Sequence, residues 1–320
     1  MKGKFLIILL AGLILIILIP YFQSLITNCE TTSSAYRQLP SSPSQLFGQL
    51  LEKLEPDKPI IMIAVGDVML GRSVNAKIRS LNDFDYPFLK TADFLSSADL
   101  TFINLESPFY DNCPTTNTGM VFCADLRAIE GLILAGIDIA NLANNHIRNY
   151  GQEGVNLTQG LLQENNISFL NHQENFLIKE VKGTEFGFLG FDLISGYQEE
   201  KIIEAVKEKK LQVDILIISF HWGAEYAQEP SPRQIELAHK VVEAGADLII
   251  GHHPHVIQKI EDYHQGKIVY SLGNFVFDQP WSEATKKGLI GIFTFQGKKL
   301  VNLKFKEIYI QDYSQPEFID

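Results

Sequence analysis

The sequence predicts an α/β fold built around a largely parallel sheet, with metal-binding chemistry at its strand ends. Two observations predict it. From Ile60 onward, apolar strand-like runs alternate with helical patterns, the signature of βαβ units around a parallel sheet. Six of those runs also end in residues that bind metals or handle protons. They are IIMIAV at Gly66-Asp67, LTFI at Asn104-Leu105-Glu106, IDIANLA at Asn144-Asn145-His146, DILIISF at His221, DLII at Gly251-His252-His253-Pro254-His255, and KIVYSL at Gly273-Asn274. Ligands of open α/β sheets bind beyond the carboxyl ends of the strands, so this placement gathers Asp, Glu, Asn and His around one cleft. The function class it implies is a metal-dependent enzyme.

Taken in order, the chain opens with an almost unbroken apolar run from Phe5 to Phe22. At 1.5 Å per residue it spans about 27 Å, enough to cross a bilayer core. Lys2 and Lys4 precede the run and Glu30 follows it, so the N-terminus is expected in the cytoplasm and the body outside the membrane. A cleaved signal peptide is the competing reading, but no small-x-small cleavage site follows the run, and Pro20-Tyr21-Phe22 extends its apolar character. Residues 1–22 are therefore expected to be a transmembrane signal anchor. Residues 23–58 are expected to be a stalk rich in Ser, Thr and Pro, carrying a short helix at 45–54 whose Leu46, Phe47, Leu50, Leu51 and Leu54 recur at helical spacing before Pro56.

The remaining domain, 59–320, holds the alternating pattern, with helices expected over 73–81, 87–97, 126–135, 153–164, 199–209 and 234–244. After Asn274 the character changes. Residues 288–295 and 300–310 are β-rich, with a Gly-Lys turn and no helix between them, and are expected to form or complete a second sheet packed on the first.

Composition narrows the function. The chain has 320 residues, 46% of them apolar, and a formal net charge of −11. That is ordinary for a globular protein with a sizeable core, and it argues against nucleic acid as a partner, because phosphate grooves need clustered Lys and Arg. Cys113 and Cys123 flank a short loop rich in Thr, Asn and Gly. The pair either closes as a disulfide in an oxidising compartment or stays as two thiols near a strand end.

Gly251-His252-His253-Pro254-His255 is the richest cluster of ligand chemistry. In extended backbone a His-x-His pair shares one side, which makes His253 and His255 the natural ligands. Asp67 and Glu106 add anionic oxygens, Asn145 an amide oxygen and His221 a third imidazole. Mixed oxygen and nitrogen donors suit Mn²⁺, Fe²⁺ or Zn²⁺ better than Ca²⁺ or a structural thiolate zinc. Six such groups exceed the needs of one ion. Two divalent ions bridged by a carboxylate would use them all and neutralise the charge of a phosphoryl-like transition state. His146 follows Asn145 directly and, if Asn145 binds metal, is placed to be the general acid for a leaving group; the alternative is that it merely caps the helix after Tyr150-Gly151. Arg72, Asn104, Glu225, Tyr226 and Asn274 either read substrate or orient ligands. His172, His239 and His264 lie off the strand ends and read as ordinary histidines.

These segments also carry a resemblance. Gly66-Asp67-Val68-Met69-Leu70-Gly71-Arg72, Asn104-Leu105-Glu106-Ser107-Pro108, Ala143-Asn144-Asn145-His146, His221-Trp222-Gly223-Ala224-Glu225-Tyr226, His253-Pro254-His255-Val256 and Ser271-Leu272-Gly273-Asn274-Phe275 together resemble the CapA family. Its members are linked to bacterial capsule and poly-gamma-glutamate synthesis, and the family in turn resembles the calcineurin-like metallophosphoesterases. The resemblance implies a four-layer α/β/β/α sandwich with a dinuclear metal centre. It implies that Asp67 and His255 hold the first ion, that Asn145, His221 and His253 hold the second, that Glu106 bridges them and that His146 is the leaving-group acid. Two departures from the phosphoesterase pattern are visible. Met69 stands where those enzymes have a second ligand His, and the longer Glu106 stands where they bridge with Asp. The expectation is thus a single-pass, extracytoplasmic metal-dependent hydrolase-like protein acting on an anionic polymer or a phosphoester. The alternative is a non-catalytic polymer-binding or scaffold subunit of a membrane synthesis and export complex.

Overall fold

A computed structural model describes residues 58–171 and 176–319. The expected anchor, the stalk with its helix, and His172 lie outside the described residues. No helix among the described residues is long and apolar enough to cross a membrane.

In chain order the strands are β1 (Ile60–Val68), β2 (Leu100–Leu105), β3 (Ile139–Asn141), β4 (Ser168–Leu170), β5 (Phe176–Val181), β6 (Thr184–Asp192) and β7 (Ile215–His221). They continue as β8 (Leu248–His252), β9 (Ile260–Tyr263), β10 (Gly266–Val269), β11 (Asn274–Val276), β12 (Lys287–Gln296), β13 (Lys299–Ile310) and β14 (Pro316–Phe318). The helices are α1 (Arg72–Leu81), α2 (Ala92–Leu95), α3 (Ile129–Leu134), α4 (Gly151–Glu164), α5 (Glu199–Lys210) and α6 (Pro232–Glu243).

Two sheets result. The first runs β14-β13-β12-β1-β2-β3-β4, with β11 also paired to β1; the second runs β5-β6-β7-β8-β10-β9. Each has a parallel centre, β1 to β4 in one and β6, β7, β8 and β10 in the other, with antiparallel strands added outside it. The late strands correct one expectation. β12 pairs with β1 from Ile60↔Phe295 to Val65↔Ile290, so β12 to β14 widen the first sheet, and the second sheet is built from the middle of the chain.

Strand periodicity explains the layering. Successive side chains point to opposite faces, and in β1 Met62 and Ala64 join one core while Ile63 and Val65 join another. The core holding Met62, Ala64 and Phe102 also holds Phe186, Phe188, Ile215, Ile217, Leu248 and Ile250 of the second sheet. It is the interior between the sheets. Ile63, Val65 and Ile103 pack instead with Val74 and Ile78 of α1, Leu132 of α3 and Leu162 of α4. Leu216, Ile218, Phe220 and Ile249 pack with Val206 of α5 and Leu237, Val241 and Val242 of α6. Because the central strands are covered on both faces, they read in sequence as continuous apolar runs. The molecule is an α/β sandwich in which two sheets face each other and helices cover their outer faces.

Helix signals match locally. α6 opens on a capping box: Ser231 Oγ accepts from Gln234 N–H at 3.3 Å, and Gln234 Oε1 accepts from Ser231 N–H at 2.9 Å. The helix expected over 87–97 shrinks to α2. Residues before it run in turns, with Phe88 N–H donating to Asp85 and Thr91 Oγ donating back to the Phe88 carbonyl, while the Phe88 ring is buried in the helix-side core.

Candidate metal centre

A β-bulge in β1 sets the site. Along β1–β2 the register is Ala64↔Phe102 and then Asp67↔Asn104, so β1 carries one residue more than its partner there. An extra residue re-aims the side chains beyond it. Without it, Asp67 would follow Ile63 and Val65 toward the helices; with it, Asp67 sits opposite Asn104, which shares the face of Phe102 between the sheets. Glu106 keeps the same parity just past β2, and His221 ends β7 on the face of Ile215 and Ile217. Both sheets therefore deliver ligand-type residues to one end of the inter-sheet interior.

The residues singled out from sequence converge. Asp67, Glu106 and His255 offer atoms within 4.8 Å of one another, as do Glu106, His221 and His253, and as do Glu225, His253 and His255. The first two groups share Glu106. Asn145 Oδ1 lies 2.8 Å from His221 Nε2, which brings the amide into the second group.

The reason given for the His253 and His255 pairing does not hold. Both have left-handed backbones, with φ of 93° and 57°, and not the extended chain that period-two alternation requires. They converge through the bends at 253–256 that follow β8. Their anchor is Asp67, whose Oδ2 accepts the His253 backbone N–H at 3.1 Å.

Asp67 and His255 are held by neighbours. Asp67 Oδ1 accepts from Asn104 Nδ2 at 2.9 Å and from His252 Nδ1 at 3.0 Å. Asn104 Oδ1 in turn accepts from Asn141 Nδ2 at 3.0 Å. His255 Nδ1 lies 3.0 Å from Asn274 Oδ1 and 3.1 Å from Asp67 Oδ2. Asn274 donates through Nδ2 to the Thr285 carbonyl, so its oxygen faces His255, and the shared hydrogen sits on His255 Nδ1. That leaves His255 Nε2 for the cleft, where Glu106 Oε1 is 3.7 Å away.

Glu106 Oε1 tests whether a cation fits. His146 Nε2 at 3.9 Å, His221 Nε2 at 3.8 Å and His255 Nε2 at 3.7 Å surround it. These distances exceed hydrogen-bonding range, and the buried oxygen has no hydrogen-bond partner. Donors that share an ion at about 2.1 Å each sit roughly 3–4 Å from one another. An orphaned carboxyl oxygen with the His221 and His255 ring nitrogens at that spacing is a donor set that suits a divalent ion, with His146 beside it.

The electrostatics agree. Burial raises the Asp67 carboxyl, but the hydrogen bonds from His252 and His255 outweigh it and hold the group well below the usual carboxylate range. Glu106 has only a long hydrogen bond from Asn104 Nδ2 to Oε2 at 3.4 Å, and burial followed by the charge of Asp67 pushes its carboxyl well above that range. Burial and then the neighbouring His253 push His221 well below the usual imidazole value. Burial and then His255 bring His253 down to about 4. Burial likewise lowers His146, against the hydrogen bond it makes to Asn149. Neutral imidazoles are the metal-ready form.

The remaining candidates have other partners. Arg72 is buried in an ion pair with Asp278 and donates to the Gly119 carbonyl at 2.9 Å. Met69 belongs to the helix-side core, and its sulfur accepts the Gly71 N–H at 2.9 Å. Tyr226 is 42% exposed, with its ring centroid 6.4 Å from that of His255. His239 pairs with Glu261 at 2.7 Å on α6, and His264 lies in the β9–β10 turn, both outside the centre. Sequence reasoning passed over His252, which is buried against Asp67, and Asn144, whose Oδ1 accepts the backbone N–H groups of His146 and Ile147 at 3.2 and 3.0 Å. The signal for both was their place inside the quoted motifs. Cys113 and Cys123 are joined as a disulfide.

Comparison with known proteins gives concordant findings. The family model described as bacterial capsule synthesis protein PGA_cap matches residues 61–279. The capsule biosynthesis protein CapA of Bacillus anthracis is 33% identical over 266 residues, covering 74% of this chain and 64% of that protein. The PGA biosynthesis protein CapA of Bacillus subtilis (strain 168) is 31% identical over 249 residues, covering 71% and 65%. The chain thus spans a little under two thirds of the length of these relatives. The crystal structure of a hypothetical protein from Thermus thermophilus superposes with a TM-score of 0.50 at 17% identity, covering 78% of this chain and 98% of that one. That likeness concerns the fold alone.

Proposed function

The chain belongs to the bacterial capsule synthesis protein family, and on that premise we propose that it serves capsule or poly-gamma-glutamate synthesis as a membrane-anchored, extracytoplasmic, metal-dependent hydrolase-like protein with a four-layer metallophosphoesterase-type domain. The observation that carries the chemistry is the orphaned Glu106 Oε1 at the junction of two ligand groups. Asp67 and His255 would hold one divalent ion and Asn145, His221 and His253 the other, with Glu106 between them. Bound there, Mn²⁺, Fe²⁺ or Zn²⁺ would supply Lewis acidity against the negative charge of a phosphoryl or amide transition state.

The chain's own residues do the rest. Asp67 keeps its charge through His252 and His255, and Asn274 holds the His255 ring so that Nε2 meets the cleft. His146 Nε2 faces Glu106 Oε1, on the side from which a departing group would take a proton. Arg72, committed to Asp278, shapes the wall instead of clamping substrate.

The experiment is metal analysis of the purified full chain, followed by hydrolysis assays on a generic phosphodiester and on poly-gamma-glutamate. Bound divalent metal with turnover of either substrate supports the proposal. A second reading, a polymer-binding or scaffold subunit of a synthesis and export complex, is favoured by Met69, which sits in the helix-side core and gives the first ion no second imidazole. Metal-free protein with no hydrolysis would select it. Fractionation of cells tests the anchor: the chain is expected in the membrane pellet and is released when residues 1–22 are deleted.

A further inference from the structure

His146 is gripped from outside the ligand set. Its ring stacks on Phe122, with centroids 4.0 Å apart and planes inclined by 25°. Its Nδ1 lies 3.0 Å from Asn149 Oδ1. The same oxygen receives the backbone N–H of Phe122 at 2.7 Å. A backbone N–H can only donate, so the Asn149 atom it meets is the oxygen, and an amide oxygen can only accept. The hydrogen between Asn149 and His146 therefore belongs to His146 Nδ1. Neutral His146 then carries its lone pair on Nε2, the nitrogen that faces Glu106 Oε1.

Phe122 reaches this position as part of the loop that Cys113 and Cys123 close. The loop is tied down on all sides. Arg79 donates to the Cys113 carbonyl at 2.8 Å, Arg72 donates to the Gly119 carbonyl at 2.9 Å, and Ala124 N–H donates to the Pro108 carbonyl at 2.8 Å. The Arg72 guanidinium also lies 4.6 Å from the Phe122 ring centroid. Met120 and Val121 at its tip are exposed, whereas Phe122 is turned in and buried.

We propose that Asn149 and Phe122, the latter carried by the disulfide-closed loop 113–123, are positioning residues that lock His146 as the Nδ1–H tautomer, so that every proton it exchanges passes through Nε2 on the cleft side. The arrangement suits a group that takes up a proton from solvent at Nε2 and then hands it to a leaving atom, because donation from the imidazolium Nε2 returns the tautomer that Asn149 already holds. That catalytic use rests on the hydrolase reading above; the tautomer itself does not.

The test reads the tautomer directly, by ring-nitrogen to ring-proton correlation spectra of the ¹⁵N-histidine-labelled full chain at neutral pH, with His146 assigned by the signal lost in His146→Gln. The wild type is expected in the Nδ1–H form. Asn149→Ala is expected to shift His146 to a mixture or to the Nε2–H form, while Asn149→Asp, which keeps an acceptor oxygen, restores Nδ1–H. Cys113→Ser/Cys123→Ser is expected to loosen the preference as Asn149→Ala does, with the other histidine signals marking a folded protein. Nε2–H in the wild type, or an unmoved tautomer in Asn149→Ala, overturns the proposal. An unmoved tautomer in the disulfide variant alone overturns the role of the loop. Where hydrolysis is measurable, Asn149→Ala should lose about 10- to 100-fold in kcat with KM little changed. If the wild type hydrolyses nothing, the hydrolase reading fails while the tautomer result stands or falls by itself.

Discussion

Glu106 and His253 load the metal-free site with opposite pH dependences. The Glu106 carboxyl is raised well above its unfolded value of 4.5 by burial and by Asp67. A raised folded value means that its contribution is fully present below about pH 4.5 and is lost as pH rises toward the elevated value, because the folded chain then holds a proton that the unfolded chain has released. At neutral pH metal-free Glu106→Gln is therefore expected to resist urea better than the metal-free wild type, by about 1–3 kcal/mol, while failing to retain metal. The gap should close near pH 4.5, and equal midpoints at pH 7.5 would show that Glu106 carries no buried penalty. His253 behaves in the reverse sense. Its value falls from 6.5 to about 4 on folding, so between those limits the unfolded chain binds a proton that the folded one refuses. Stability is expected to drop by about 1.4 kcal/mol for each pH unit that the solution is acidified across that window. His253→Gln should flatten this slope in pH-dependent urea titrations of the metal-free chain; an unchanged slope would place His253 in contact with water.

The bulge in β1 is the element that brings a candidate ligand, Asp67, to the end of a buried strand, and Gly66 makes room for it. A Cβ on Gly66 would lie 2.2 Å from the Gly273 carbonyl oxygen, and the same oxygen accepts the Asp67 N–H at 2.9 Å. Backbone cannot yield as a flexible side chain can, so Gly66→Ala must part β1 from the chain leading into β11. The expected cost is about 2–3 kcal/mol, with loss of metal as Asp67 and Asn274 separate. Wild-type urea midpoint and metal content in this variant would remove the close approach from the account. Elements of this kind mark where the sequence stops being legible. The central strands announce themselves because both their faces are buried, and the Asp, Asn, Glu and His at their ends are placed by topology alone. The extra residue at Gly66-Asp67, the left-handed His253 and His255 and the contact of His252 with Asp67 arise from tertiary pairing, which no local period encodes. The strands β4, β9, β11 and β14 have three or four residues each, too few for alternation to declare itself. The sheet that β12 joins is likewise decided by a non-local partner, β1.

At the scale of the whole molecule, the candidate ligands divide between the sheets. Asp67, Glu106 and Asn145 belong to or follow strands of the first sheet, and His221, His253 and His255 end or follow strands of the second. Both three-residue groups that share Glu106 take donors from each sheet. An ion in either group would fasten one sheet to the other at the carboxyl ends of their central strands, where the apolar interior between the sheets gives way to polar side chains. Metal is therefore expected to stabilise the fold by linkage, about 2.7 kcal/mol at a free concentration a hundredfold above Kd. Chelation should lower the thermal midpoint and should speed amide hydrogen exchange first at the ends of β1, β2, β7 and β8, leaving β12 and β13 protected. His221→Ala, which removes a ligand from the second group only, should reduce the metal-dependent shift without abolishing it, since Asp67, Glu106 and His255 remain. A thermal midpoint indifferent to both chelator and added Mn²⁺ or Zn²⁺ would mean that the sheets are held together by the inter-sheet core alone. The convergence of imidazoles on Glu106 would then need an explanation other than a bound cation.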